Sequence, residues 1–175
     1  MTDTNTITNV VIAGLGGQGV IRAANILAET AFRSKMDVKQ GEIHGMSQRG
    51  GSVTSDVRFG KKVYSPMVPT GEADYVLVLH PTQVDNNLYH KKEGGHFFSV
   101  FDLKDSLTQL SELDGDPSTP VTERNCNIAL LGMLSLHLPF DDAVWETAIK
   151  NNLPSKVHEE NLAVFHYGKG IAPKG

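Results

Sequence analysis

Six residues near the amino terminus, Gly14-Leu15-Gly16-Gly17-Gln18-Gly19, offer chemistry to an anion. Glycines at 14, 16 and 19 fit the GxGxxG pattern, in which a chain leaves a strand, turns, and enters a helix with its backbone N–H groups aimed at one spot. The start of the helix makes that spot electropositive, so it suits a phosphate or a carboxylate. In this pattern Gly14 permits the sharp turn, Gly16 the close approach of a ligand, and Gly19 the close packing of the helix on the strand, with Gly17 and Gln18 completing the turn. A second segment, His44-Gly45-Met46-Ser47-Gln48-Arg49-Gly50-Gly51, is polar, holds three glycines and carries a guanidinium. Gly50 and Gly51 alone fit a tight turn into the next strand equally well. Together with His44, Gln48 and Arg49 they point to a loop that surrounds a ligand or a partner's surface.

The elements on either side must position these residues. Val10-Val11-Ile12-Ala13 is an apolar run suited to a strand buried on both faces. After the turn, Val20, Ile21, Ala24, Leu27, Ala28, Ala31 and Phe32 recur at helical spacing and predict a stripe packed on a sheet. Arg22 lies in the first turn of that helix, where a cation is unfavourable unless an anion is near; a solvated surface arginine is the simpler reading. A second strand is expected over 37–43. Residues 52–59 alternate apolar and polar, and with Gly60-Lys61-Lys62 before Val63-Tyr64 they predict an inserted hairpin whose edge covers something or pairs with another chain. Residues 73–80 read as an interior parallel strand, 81–92 as a short helix closed by Gly94-Gly95, and 96–101 as a further strand. His80 and His96 stand at strand boundaries and read as surface or packing residues. Residues 126–138 predict a helix apolar on nearly all sides, with Gly132 in contact with another backbone. Asp141 and Asp142 cap a next helix, and Ser155 a last one in which Asn161 falls on the apolar stripe as a hydrogen-bonded packing or interface residue.

These elements predict an α/β fold: a Rossmann-like three-layer sandwich with a mostly parallel sheet, an inserted hairpin and C-terminal helices. One domain over 1–175 is expected, with flexible ends at 1–6 and 169–175. The formal net charge of −4 argues against nucleic acid or a membrane surface as the main partner. No apolar run is long enough to span a bilayer, and the polar start lacks a secretory signal, so a cytoplasmic location is expected. Cys126 is the only cysteine, which excludes intrachain disulfides and all-cysteine iron–sulfur clusters on this chain.

Dinucleotide binding would need an acid at the end of the second strand, for which Glu42 is the candidate. Gly115-Asp116 with Asn151-Asn152 downstream has the outline of a thiamine diphosphate and magnesium motif, but Pro117 and the helices between break it. No nucleophile elbow, zinc helix or paired acid–base carboxylates are present, so neither a catalytic set nor a metal site is assigned to this chain. An anion-accepting fold without a catalytic set points to a subunit.

The two glycine motifs together resemble the gamma-type subunit of the 2-oxoacid:ferredoxin oxidoreductases, and His44-Gly45-Met46-Ser47-Gln48 resembles the indolepyruvate branch. Asn127-Ile128-Ala129-Leu130-Leu131-Gly132 and Glu160-Asn161-Leu162-Ala163-Val164-Phe165 are similar to the family's helical motifs, so the resemblance runs from Val10 to about Gly168. It implies coenzyme A-dependent oxidative decarboxylation of a 2-oxoacid to an acyl-CoA, carbon dioxide and reduced ferredoxin. It also implies a catalytic alpha-type partner, with thiamine diphosphate, magnesium and iron–sulfur clusters on partner chains. Coenzyme A is expected at the glycine turn through Gly14, Gly16, Gly17, Gln18, Gly19, His44, Gln48, Arg49, Gly50 and Gly51. Ferredoxin would be met through the complex, and contact with a second copy of the chain is a further expectation. A free-standing NAD(P)-binding enzyme and a nucleotide-sensing module are the competing readings.

Overall fold

The β-branched apolar run at the start of the chain becomes the middle of a five-stranded sheet. In the computed structural model, which describes residues 5–45 and 50–172, β1 (Thr8–Leu15) lies at the centre of the order β2-β3-β1-β4-β5. The others are β2 (Asp37–His44), β3 (Ser52–Gly60), β4 (Ala73–Val78) and β5 (Lys91–Ser99). β1 runs parallel to β4 and β4 to β5, whereas β3 is antiparallel to both β1 and β2. The expectation of a mostly parallel sheet is thus only half met. β2 ends at His44 and β3 starts at Ser52, and so short a connection can join only antiparallel neighbours.

The inserted hairpin is real, but its partner strand differs from the expected one. β3 pairs with β2, from His44 against Val53 to Asp37 against Gly60, and Val63-Tyr64 lies outside the sheet. Alternation along 52–59 identified a strand, and alternation carries no information about which strand it meets. β3 is consequently interior, and β2 is the edge. The short helix expected over 81–92 is two 3₁₀ turns, Pro81–Gln83 and Asp85–His90, and Gly94 and Gly95 lie inside β5.

The two faces of the sheet are covered very differently. Val10, Ile12, Val57, Phe59, Leu77 and Phe98 form one core with α1 (Val20–Arg33), α2 (Cys126–Ser135), α3 (Asp142–Asn152) and α4 (His158–Lys169). Val11, Ala13, Val76 and Val78 form a smaller core on the other face, packed by Val68, Val84 and Phe97. The third layer of the sandwich is therefore 3₁₀ turns and extended chain. Asp56 holds part of it, accepting the Val68 N–H at 2.8 Å, and burial pushes its carboxyl above the ordinary value.

α1 packs through Val20, Ala23, Ala24, Ile26, Leu27 and Ala31, while Ile21 and Phe32 of the predicted stripe are exposed, Phe32 by 71%. Every residue of α2 is buried, as its all-round apolarity predicts. Gly132 of α2 faces Phe165 and Gly168 of α4 faces Ala129, each so closely that a methyl group would overlap the opposing carbonyl oxygen. Gly168 is thus a helical packing residue. Asn161 donates its side-chain N–H to the Val157 carbonyl at 2.8 Å, which fits the packing role. Among the described residues, no helix is long and apolar enough to cross a membrane.

Candidate functional site

α1 begins at Gly19, whose left-handed backbone (φ 83°) lets the chain swing from the turn straight into the helix. The first intrahelical bond runs from the Ala23 N–H to the Gly19 carbonyl at 2.9 Å, so the N–H groups of Val20, Ile21 and Arg22 have no acceptor in the helix. No side chain caps them and no acid lies in the first turn. That leaves a positive helix end open to an anion.

The roles of the glycines are partly exchanged relative to expectation. Gly14 still belongs to β1, opposite Val53, and a Cβ there would lie 2.9 Å from Val20 and 3.1 Å from Leu79. It is the residue that brings α1 close to the sheet, and it lines neither hollow described below. Gly17 has φ 86° with nothing within 4 Å of a would-be Cβ, so it is open on the ligand side. Gly19 has the positive φ and also faces Asn127. The Gln18 side chain folds back, its Oε1 accepting the Leu15 N–H at 2.8 Å, so it shapes the turn from within.

The structure joins the two glycine motifs. The Gly16 N–H donates to the Gly51 carbonyl at 2.9 Å, and Gly50 lies alongside. Gln48 and Arg49 lie outside the described residues. His44 meets Gly16, Gly17 and Gly19 around a hollow of about 550 Å³, completed by apolar Leu15, Val20, Ile21 and Val53 and by polar Asn25 and Asn152. Across the turn is a second hollow of about 430 Å³, bounded by Gly17, Gln18, Arg22, Glu123, Arg124 and Asn127. Arg22 borders both. The glycine turn is a saddle between a half-apolar compartment and a strongly polar one.

Sequence reasoning did not single out Arg124, Asn127, Asn25 or Asn152 for this site, and it favoured a solvated role for Arg22. A usable signal was present at Arg124. It stands just before an all-apolar helix, and helices that follow parallel strands start at the same end of the sheet as the glycine turn. Asn151 and Asn152 donate to Glu29 of α1, while Asp116 binds Ser118 instead, so the thiamine-like residues serve separate local structures.

The same topology removes the dinucleotide acid from its expected place. Glu42 is on β2, two strand spacings of ~4.8 Å each from β1, because β3 intervenes. Its carboxylate lies 3.6 Å from the His44 imidazole. The described groups that meet at the turn are amides, two guanidiniums, one imidazole and the carboxylate of Glu123, a set that binds and orients. The one thiol, Cys126, sits at the start of α2, where a helix end usually activates it. Burial nevertheless pushes its pKa up to about 12.

Residues 9–171 match the model of the pyruvate ferredoxin/flavodoxin oxidoreductase family. An indolepyruvate oxidoreductase subunit IorB from Archaeoglobus fulgidus is 44% identical over 95% of this chain and 96% of its own length. The subunit of that name from Thermococcus kodakarensis is 32% identical over 91% and 93%. The gamma subunit of a keto/oxoacid ferredoxin oxidoreductase from Geobacter sulfurreducens superposes with a TM-score of 0.70 at 26% identity, covering 92% of this chain and 95% of that one. The 2-oxoglutarate:ferredoxin oxidoreductase from Magnetococcus marinus shares the fold, with a TM-score of 0.74 at 20% identity over 94% of this chain and 30% of that one. The chain belongs to the pyruvate ferredoxin/flavodoxin oxidoreductase family, as a gamma-type subunit.

Proposed function

We propose that this chain serves an indolepyruvate-type ferredoxin oxidoreductase by binding coenzyme A at the glycine turn, beside a catalytic alpha-type partner. The assembled enzyme converts a 2-oxoacid and coenzyme A to an acyl-CoA and carbon dioxide and passes the electrons to ferredoxin. The supporting observation is the saddle itself, which joins open helix N–H groups and two arginines to a half-apolar hollow. Neither Arg22 nor Arg124 is tied into a side-chain pair among the described residues, so both can turn to a phosphate. The larger hollow, with its leucine, valine and isoleucine walls, has room for the less charged part of the same ligand. Arg49 supplies a further anchor in this reading. The clusters lie on the partner, since one buried thiol cannot supply the four thiolates of a cluster, and thiamine diphosphate and magnesium go there with them, since Asp116 and Asn151-Asn152 are held in separate local bonds. The complex works in the cytoplasm.

Anaerobic affinity purification of the chain from its own host tests this reading, with ferredoxin reduction assayed on indolepyruvate, pyruvate and 2-oxoglutarate. A brown partner chain and coenzyme A-dependent reduction fastest with indolepyruvate are expected. A colourless self-oligomer that binds NAD tightly would overturn it and make Glu42 the next residue to change.

A further inference from the structure

We infer that Asn127 is a positioning residue that sets the aim of the anion-binding turn by tying it to the buried helix pair α2 and α4. Asn127 is the second residue of α2 and is 3% exposed. Its side-chain N–H donates to the Gly19 carbonyl at 3.2 Å, across 108 positions of sequence, while its Oδ1 accepts the N–H of Ile128 at 2.9 Å. Both ends of the carboxamide are therefore engaged, and the group cannot turn without breaking one of the bonds.

Gly19 is where that tie matters. Its carbonyl accepts the Ala23 N–H and so defines where α1 starts, and its left-handed backbone directs the N–H groups that follow. An added Cβ at Gly19 would lie 2.5 Å from the Asn127 amide nitrogen, so any side chain at 19 would displace the amide from its bond to the Gly19 carbonyl. At the opposite end of the turn, Gln18 holds the Leu15 N–H. The turn is thus pinned at its entrance by its own side chain and at its exit by a distant one. Only the second pin reaches the interlocked helices, through Gly132 and Gly168. A turn held this way offers its amides to an anion with little reordering on binding. Asn127 also borders the smaller hollow with Arg22 and Arg124, so its loss would misalign the turn relative to both guanidiniums.

This inference rests on the coenzyme A reading, and the test separates the two. In the reconstituted complex, Asn127→Ala is expected to raise the KM for coenzyme A roughly tenfold, the loss of about one hydrogen bond's worth of alignment, with kcat within twofold of wild type. Asn127→Asp keeps an acceptor for the Ile128 N–H and loses the donor to Gly19, but its carboxylate would also repel a phosphate, so this variant is read by amide exchange and not by KM. Amide exchange supplies a readout independent of coenzyme A. In both variants exchange at Gln18 and Ala23 should accelerate roughly tenfold, with the α2 and α4 amides around Gly132 and Gly168 unchanged. Wild-type exchange at Gln18 and Ala23 in both variants would overturn the inference whatever the kinetics. A wild-type complex indifferent to coenzyme A would instead overturn the coenzyme A reading, and accelerated exchange would still support the role of Asn127.

Discussion

Gly132 and Gly168 differ in kind from Gly16 and Gly17. The first pair is glycine because of what it touches: α2 and α4 cross so closely that each residue lies against the other helix's backbone. The second pair is glycine because of what it does not touch. Gly17 has nothing within 4 Å of a would-be Cβ, and Gly16 meets only Gly50 and Gly51, at 3.6 and 3.8 Å. One pair closes a protein–protein contact within the chain, and the other leaves a surface open. Glycine density alone therefore says nothing about function; the neighbours of the missing methyl decide it.

The largest effect should come from filling the closed contact. Gly132→Ala or Gly168→Ala is expected to cost ~3 kcal/mol or more, because the obstacle is backbone and cannot swing aside. Urea denaturation checks this, and a wild-type midpoint would break the distinction between the two pairs. Next comes the open side. Replacing Arg22 and Arg124 together by Ala should weaken coenzyme A by tenfold or more, since a hydrogen bond to a charged group contributes about 1.5–3 kcal/mol, with the urea midpoint unmoved. Calorimetric titration of the complex measures it. Gly17→Ala should lower stability by only ~1 kcal/mol, from the positive φ alone, because the methyl meets nothing. A loss as large as that for Gly132 would show that the turn is packed and not open.

Cys126 stands where the two regions join, and its pH behaviour sharpens the comparison. Its folded pKa is raised from 9.0 to about 12, chiefly by burial. A raised folded value contributes stability that is complete below 9.0 and is lost as pH climbs toward 12. Cys126→Ala should therefore lose less stability than wild type between pH 9 and 11, by urea midpoint. Iodoacetamide labelling of the native chain should likewise keep accelerating above pH 9, where an ordinary thiol levels off. Labelling that levels off near pH 9 would mean that the start of α2 is open to solvent.

Much of this architecture was legible in the residues. The strand at 10–13, the turn, the helix after it and the buried helix from 126 all follow from periodicity and glycine placement, and Gly132 was expected to meet a backbone. What escaped was pairing. The alternation of 52–59 could not show that β3 would insert between β1 and β2, which turned the sheet mixed and carried Glu42 away from β1. The second half of the site escaped for the same reason. Arg124 and Asn127 reach the turn because α2 starts at the same end of the sheet, and the place of Arg124 before the apolar helix signals this only once the strand directions are known. His44 and Gly51, named from the second glycine motif, lie beside the turn, and the Gly16 N–H bond ties Gly51 to it.

Amide exchange of the reconstituted complex with and without coenzyme A tests the central claim most directly. Protection is expected over residues 15–23 and 122–128, on both sides of the saddle, with none gained over 129–135 or 161–168. Protection confined to other segments, with the glycine turn unchanged, would contradict the assignment of the open glycines to a ligand.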